Sequence, residues 1–274
     1  MKARELINRH PKIKDTLLYT YYTFFVAVYH EYLRGMFHSI YLHFPNNKYS
    51  NLKRFKDIHK GGMCFIIGTG PSLRIEDLEK LKQQGVCSFS MNSIIKVYGQ
   101  TEWRPNYYGI QDLHVYRTLK SCYKESDFVD TEVFYGDEIR HFPIEKGHKF
   151  YVNQLWHWNK FKKPYYKFSI YIDRQIYEGH TVSYSLLQLA VFMGFSEIYF
   201  LGVDANYPAT GKTHFSEFMD EDFINRTRGM GPDQIAAFEY ASNYLQNSGV
   251  HIYNATRGGC LEVFPRVNFD ELWT

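Results

Sequence analysis

Cysteine is scarce in this chain, with four in 274 residues, and none of Cys64, Cys87, Cys122 and Cys260 falls in a C-x-x-C pair. That spacing excludes a cysteine-built metal or redox motif. Two of the four sit in apolar, strand-like runs, where a thiol packs as a small hydrophobe, so we expect reduced cysteines and a cytoplasmic protein. Long uncharged apolar runs are missing too. The N-terminal run from Thr16 to His30 falls short of the ~20 residues a bilayer span requires, and its tyrosines and lack of a cleavage site do not fit a signal peptide. Acidic residues are scarce at one end. Residues 1–60 carry 11 Lys/Arg against 4 Asp/Glu, so the net +3 divides into +7 there and −4 over the remainder. Internal repeats and low-complexity tracts are absent. What is present is a composition 45% hydrophobic and 18% aromatic, enough to bury a full core and incompatible with a disordered chain.

The N-terminal stretch DTLLYTYYTFFVAVYHEYLRGMFHSIYLHF places aromatics at helical spacing. Lys2, Arg4, Arg9, Lys12 and Lys14 lie on one side of its apolar run, and Lys53, Arg54, Lys56 and Lys60 follow it. Residues 1–58 are therefore read as a basic, aromatic helical segment, with two placements open. The segment lies on an anionic membrane surface through residues 1–55, which would make the protein peripheral on the inner face of the cell membrane. Alternatively it packs as a helical hairpin on the main domain or on a second copy of the chain.

Residues 59–274 alternate between strand and helix patterns, which predicts an α/β fold with a largely parallel sheet and helices on both faces. Strands are expected at Met63 to Ile67, Val86 to Ser90, Asn106 to Ile110, Glu132 to Tyr135, Lys167 to Ile172, Glu197 to Leu201 and Val250 to Tyr253. A helix-like charged stretch covers Arg74 to Gln84. The run from Thr181 to Met193 is apolar nearly all round, which predicts a helix buried against the sheet. Pro232 opens another helix reaching about Gln246.

The stretch FIIGTGPSL, residues 65–73, reads as strand, tight turn and helix start. Glycines there let the backbone approach a ligand, and the amides can meet a phosphate. Leu73 stands where the dinucleotide fingerprint has its third glycine, and the Gly-Lys-Ser/Thr of a phosphate loop is absent, so on its own the stretch reads first as a structural turn and second as a nucleotide site. Past the next two strands come Asn92, in SMNS, and Asp112, in GIQD. Together they suit a base and a ribose, and either alone reads first as a helix cap. His180, Thr181 and Ser183 crowd the start of the buried helix, whose N-terminus favours an anion. Asp204 ends the following strand. Arg257 is a candidate partner for a phosphate or carboxylate, or a structural residue, and the acidic run Asp220 to Asp222 is read as a solvated loop.

Taken together, GTGPSL, SMNS, WRPNYYGIQD, GHTVSYSLLQLAVFMGFSEIYFLGVDANY and the later THF resemble the bacterial sialyltransferases and the related domain of motility-associated glycosyltransferases and hydroxymethylpterin diphosphokinase MptE-like proteins. The resemblance spans roughly residues 60–270. It implies a Rossmann-like domain that moves an acidic sugar from a CMP-sugar to a glycan or glycolipid hydroxyl with inversion, in surface polysaccharide or glycoconjugate assembly, without metal, cofactor or nucleic-acid partner. Carried across, it assigns the turn to Gly68, Thr69, Gly70, Pro71 and Ser72, where sialyltransferases have Asn in place of Thr69. It puts nucleoside contacts at Asn92 and Asp112 and the catalytic histidine at His214. The serine at the helix start becomes Thr181 or Ser183, and the phosphate-contacting tyrosine falls on Asn206, leaving Tyr207 as its substitute. The alternatives are a pterin diphosphokinase-like enzyme, using ATP and Mg²⁺ on Asp112 and Asp204, and an inactive scaffold docked to the membrane.

Overall fold

The computed structural model describes residues 11–21, 33–44, 47–153, 166–206 and 229–273. The chain divides into two units, Met1–Asn47 with Asn153–Tyr165, and Lys48–Val152 with Tyr166–Thr274. In the first unit two short helices are described, α1 (Pro11–Thr20) and α2 (Arg34–Leu42).

The second unit is built on seven strands: β1 (Met63–Ile67), β2 (Ser88–Met91), β3 (Tyr107–Ile110), β4 (Glu132–Gly136), β5 (Gly147–Phe150), β6 (Glu197–Leu201) and β7 (His251–Asn254). They lie in the order β5-β4-β3-β2-β1-β6-β7, and every pairing is parallel. Strands covered on both faces have no solvent side, which is why β1 reads as an unbroken apolar run with Phe65, Ile66 and Ile67 fully buried.

Helices α3 (Ile75–Gln84) and α4 (Leu113–Leu119) cover one face, where Leu78, Leu81 and Leu119 join Phe65, Ile67, Tyr199 and Leu201 in one core. Helices α5 (Val182–Phe192) and α6 (Gly231–Leu245) cover the other. There Phe200 meets Phe238 of α6 at 5.2 Å between ring centroids, and Phe238 meets Tyr184 of α5 at 5.6 Å. Helix α5 crosses β1, β2 and β3, and every residue from Val182 to Ala190 is buried. Gly109 makes room for it, since a Cβ there would come 2.6 Å from Leu186 Cδ2.

Two parts of the predicted order are corrected. Lys167 to Ile172 is not a strand, although Phe168, Ile170 and Ile172 alternate. Its backbone is bonded instead largely by side chains: Lys167 O accepts from Tyr184 Oη at 2.9 Å, Tyr171 N donates to Ser169 Oγ at 3.1 Å, and Ser169 N donates at 2.9 Å to Gln188 Oε1, which also accepts from Tyr177 N at 3.0 Å. The edge strand is β5, a four-residue segment paired with β4 from Val133 to Gly136. The residues before β1 also belong to this core. Leu52 and Phe55 are buried, Phe55 packing 5.0 Å from Phe134, and Asp57, His59 and Gly61 donate their N–H groups to the Phe192, Met193 and Gly194 carbonyls.

The chain thus starts in the middle of the sheet at β1, winds outward through β2 to β5, and returns to the other side of β1 for β6. Winding reverses between β1 and β6, and in an open parallel sheet the crevice at such a reversal, beyond the C-terminal strand ends, is where ligands bind.

Candidate functional site

The turn after β1 is held down by the end of β6. Gly68 N donates to Leu201 O at 2.8 Å and Gly70 N to Gly202 O at 2.9 Å. No side chain fits between them. A Cβ on Gly68 would lie 2.9 Å from the Gly202 carbonyl carbon and from Val203 Cγ2, with the carbonyl oxygen nearer still, and one on Gly70 would come 2.7 Å from Gly202 O. The two glycines are therefore required by the approach of two backbones, whether or not a ligand is bound.

Asp204 completes this clasp. Its Oδ2 accepts from Ser72 Oγ at 2.8 Å and from Ser72 N at 3.4 Å, while its own carbonyl accepts from Cys260 N at 2.7 Å. Burial raises the Asp204 carboxyl above the ordinary range, and the Ser72 donors oppose that shift. Its part is to pin the turn that faces the crevice, with the C-terminal loop laid over its backbone at Gly259.

Asn92 stands one residue past β2, at the level of the turn, because Ile67 pairs with Ser90 in the sheet. Its backbone is left-handed, with φ of 49°, and its carbonyl accepts from Tyr108 Oη at 2.7 Å. An asparagine tolerates that conformation better than most residues. Its Oδ1 and the Ser93 Oγ beside it are buried with no hydrogen-bond partner among the described residues. Ser93 has no separate signal in the sequence beyond its place as a second polar position after an apolar strand.

Asp112 is the N-cap of α4, its Oδ1 accepting from His114 N at 2.6 Å and Val115 N at 3.0 Å. Of the two readings open for it, the cap is the one these bonds realise. Next to it Gln111, which the sequence did not single out, accepts from Ser185 Oγ at 2.6 Å and ties the first turn of α5 to the tip of β3. Thr181 is the N-cap of α5, 2.7 Å from Ser183 Oγ through its own Oγ1. His180 precedes it with φ of 59°, and its carbonyl accepts from Gln234 Nε2 of α6 at 3.0 Å.

The fold thus brings the Gly68–Ser72 turn and Asp204 into one unit, puts Asn92 and Ser93 beside it on the neighbouring strand, and sets the start of α5 at the same edge. His214, Tyr207 and the Asp220 to Asp222 run lie outside the described residues. Arg257 is removed as a phosphate ligand. Its guanidinium is engaged by Asp77 at 2.6 Å and Asp270 at 2.7 Å, which clamps the C-terminal loop to α3.

Comparison with known proteins agrees with this arrangement at the level of the fold. A solved structure of the MAf glycosyltransferase from Magnetospirillum magneticum AMB-1 matches with a TM-score of 0.53 at 17% identity, over 82% of this chain and 38% of that one. The chain therefore spans well under half the length of that neighbour. No curated protein matches the sequence. The family model described as 6-hydroxymethylpterin diphosphokinase MptE-like matches residues 38–210, which takes in the turn, Asn92, Asp112, the start of α5 and Asp204. With most of its length under that model, the chain belongs to the MptE-like family.

Proposed function

We propose that the protein is a glycosyltransferase that binds a CMP-sugar in the crevice between the β1 turn and the tip of β2, and passes the sugar to a glycan or glycolipid hydroxyl. The observation that carries this reading is the pair of buried atoms, Asn92 Oδ1 and Ser93 Oγ, that have no hydrogen-bond partner among the described residues. Leaving such an atom unmet costs about 1–3 kcal/mol, and these two lie past the C-terminal end of β2, beside the turn, where a ligand in the crevice is the partner this reading gives them. An amide oxygen wants a donor, and the exocyclic amine of cytosine is one; the serine hydroxyl can give or accept beside it.

In this reading the α5 start, with Thr181, Ser183 and His180, faces the phosphate, and Tyr207 adds a donor. The acceptor oxygen attacks the anomeric carbon, its proton passes to His214, and the bond to the phosphate oxygen breaks with its electron pair leaving on CMP. The family's name favours a second reading, phosphoryl transfer from ATP with Mg²⁺. That chemistry would draw on Asp112 and Asp204, and both already accept hydrogen bonds that hold the backbone in place.

A thermal-shift panel of CMP, CDP, UDP, GDP and ATP, each with and without Mg²⁺, separates the readings. At a hundred times its Kd a ligand of the folded state adds about 2.7 kcal/mol. CMP is expected to raise the melting point without metal, and Asn92→Ala to remove the rise. A preference for ATP with Mg²⁺ would put the diphosphokinase reading first, and no response to any nucleotide would favour the scaffold.

A further inference from the structure

Helix α2 wears its apolar stripe on the outside. Leu33, Met36, Phe37, Ile40 and Phe44 fall on one face at helical spacing, and all are 40–63% exposed. No residue of α2 is buried. Helix α1 repeats the pattern, with Ile13, Leu17 and Tyr21 at four-residue intervals, each at least half exposed. So many large apolar side chains in water mark a surface that something else covers.

We infer that these stripes dock on an anionic lipid surface, independently of what the crevice binds. Charge decides between the possible covers. The unit that holds these helices, residues 1–47 with 153–165, carries nine basic against three acidic side chains, and Lys12 and Lys14 stand exposed on α1 among its apolar residues. A second copy would bring one cationic segment against another and repel it, whereas anionic headgroups neutralise the lysines as the apolar side chains enter the interface. Among the described residues no helix is long and apolar enough to cross a membrane, so the helices lie along the surface.

The test is co-sedimentation of the full-length chain with vesicles of phosphatidylcholine alone or mixed equally with phosphatidylglycerol. The expected result is binding to the mixed vesicles only, lost at about 0.5 M salt, where the Debye length shrinks to a few ångström. Phe37→Ser with Ile40→Ser should weaken it about tenfold or more, since each large apolar side chain withdrawn forfeits its burial. Both residues are already exposed, so the variant should melt at the wild-type temperature. Failure of the wild type to bind mixed vesicles, or equal binding by the variant, overturns the inference. A wild-type dimer that the variant converts to monomer assigns the stripe to a second copy and overturns it as well.

Discussion

Gly68→Ala is expected to lower stability by about 3 kcal/mol or more and to abolish the response to nucleotide. Overpacking usually costs ~1–3 kcal/mol because side chains can shift to make room. Here the obstacle is backbone, since the new methyl would meet the carbonyl of Gly202 and the side chain of Val203. The turn and the β6 tip would have to part, breaking the bonds from Gly68 N to Leu201 O and from Gly70 N to Gly202 O, and the turn would no longer be held in place beside the crevice. Gly99→Ala is the control. Nothing lies within 4 Å of a Cβ there, and its backbone is not left-handed, so a melting point unchanged or slightly raised is expected. Denaturant melts with and without CMP read both quantities. A Gly68→Ala protein that melts and binds like the wild type would mean that the two backbones do not meet as described.

His214→Ala carries the largest expected effect on activity, a fall in transfer of ~10²- to 10⁴-fold, the usual contribution of a general base. CMP affinity should stay close to that of the wild type, because in the proposed reaction the base serves the acceptor. The pH profile should lose its acidic limb, since a protonated imidazole cannot take the acceptor's proton and histidine ordinarily titrates at about pH 6.5. Near-normal transfer with the acidic limb intact would exclude His214 and move attention to His180. Loss of CMP binding would place His214 among the phosphate contacts.

Strands buried on both faces announced themselves in the sequence, and MCFII and EIYFL fold where they were predicted. The alternating segment KFSIYI did not, because alternation reports which side chains are buried and is silent on where the backbone bonds go. The side chains of Gln188, Ser169 and Tyr184 take those bonds, two of them from α5, and no local pattern reveals it. The edge strand GHKF carries only His148 and Phe150 as buried positions, too few to register as a period. Within the site, the glycine turn and the residues at the strand tips were legible because strand ends follow from strand order. Their roles were less so. Asp112, Asp204 and Arg257 were each compatible with a ligand, and each is engaged by a protein partner that only the three-dimensional arrangement supplies: a helix start, Ser72, and the Asp77–Asp270 pair.

The central claim is that the β1 turn and the tip of β2 hold a nucleotide. Backbone amide spectra of the isotope-labelled protein, titrated with CMP in the absence of metal, test it most directly. The account predicts saturable shifts concentrated at Gly68, Thr69, Gly70, Ser72, Asn92 and Ser93, with smaller ones at the start of α5. The opposite end of the sheet offers an internal control, the polar hollow lined by Tyr98, Thr101 and Arg104, where no shifts are expected. Saturable shifts confined to that hollow, or none at the turn at any CMP concentration, would contradict it.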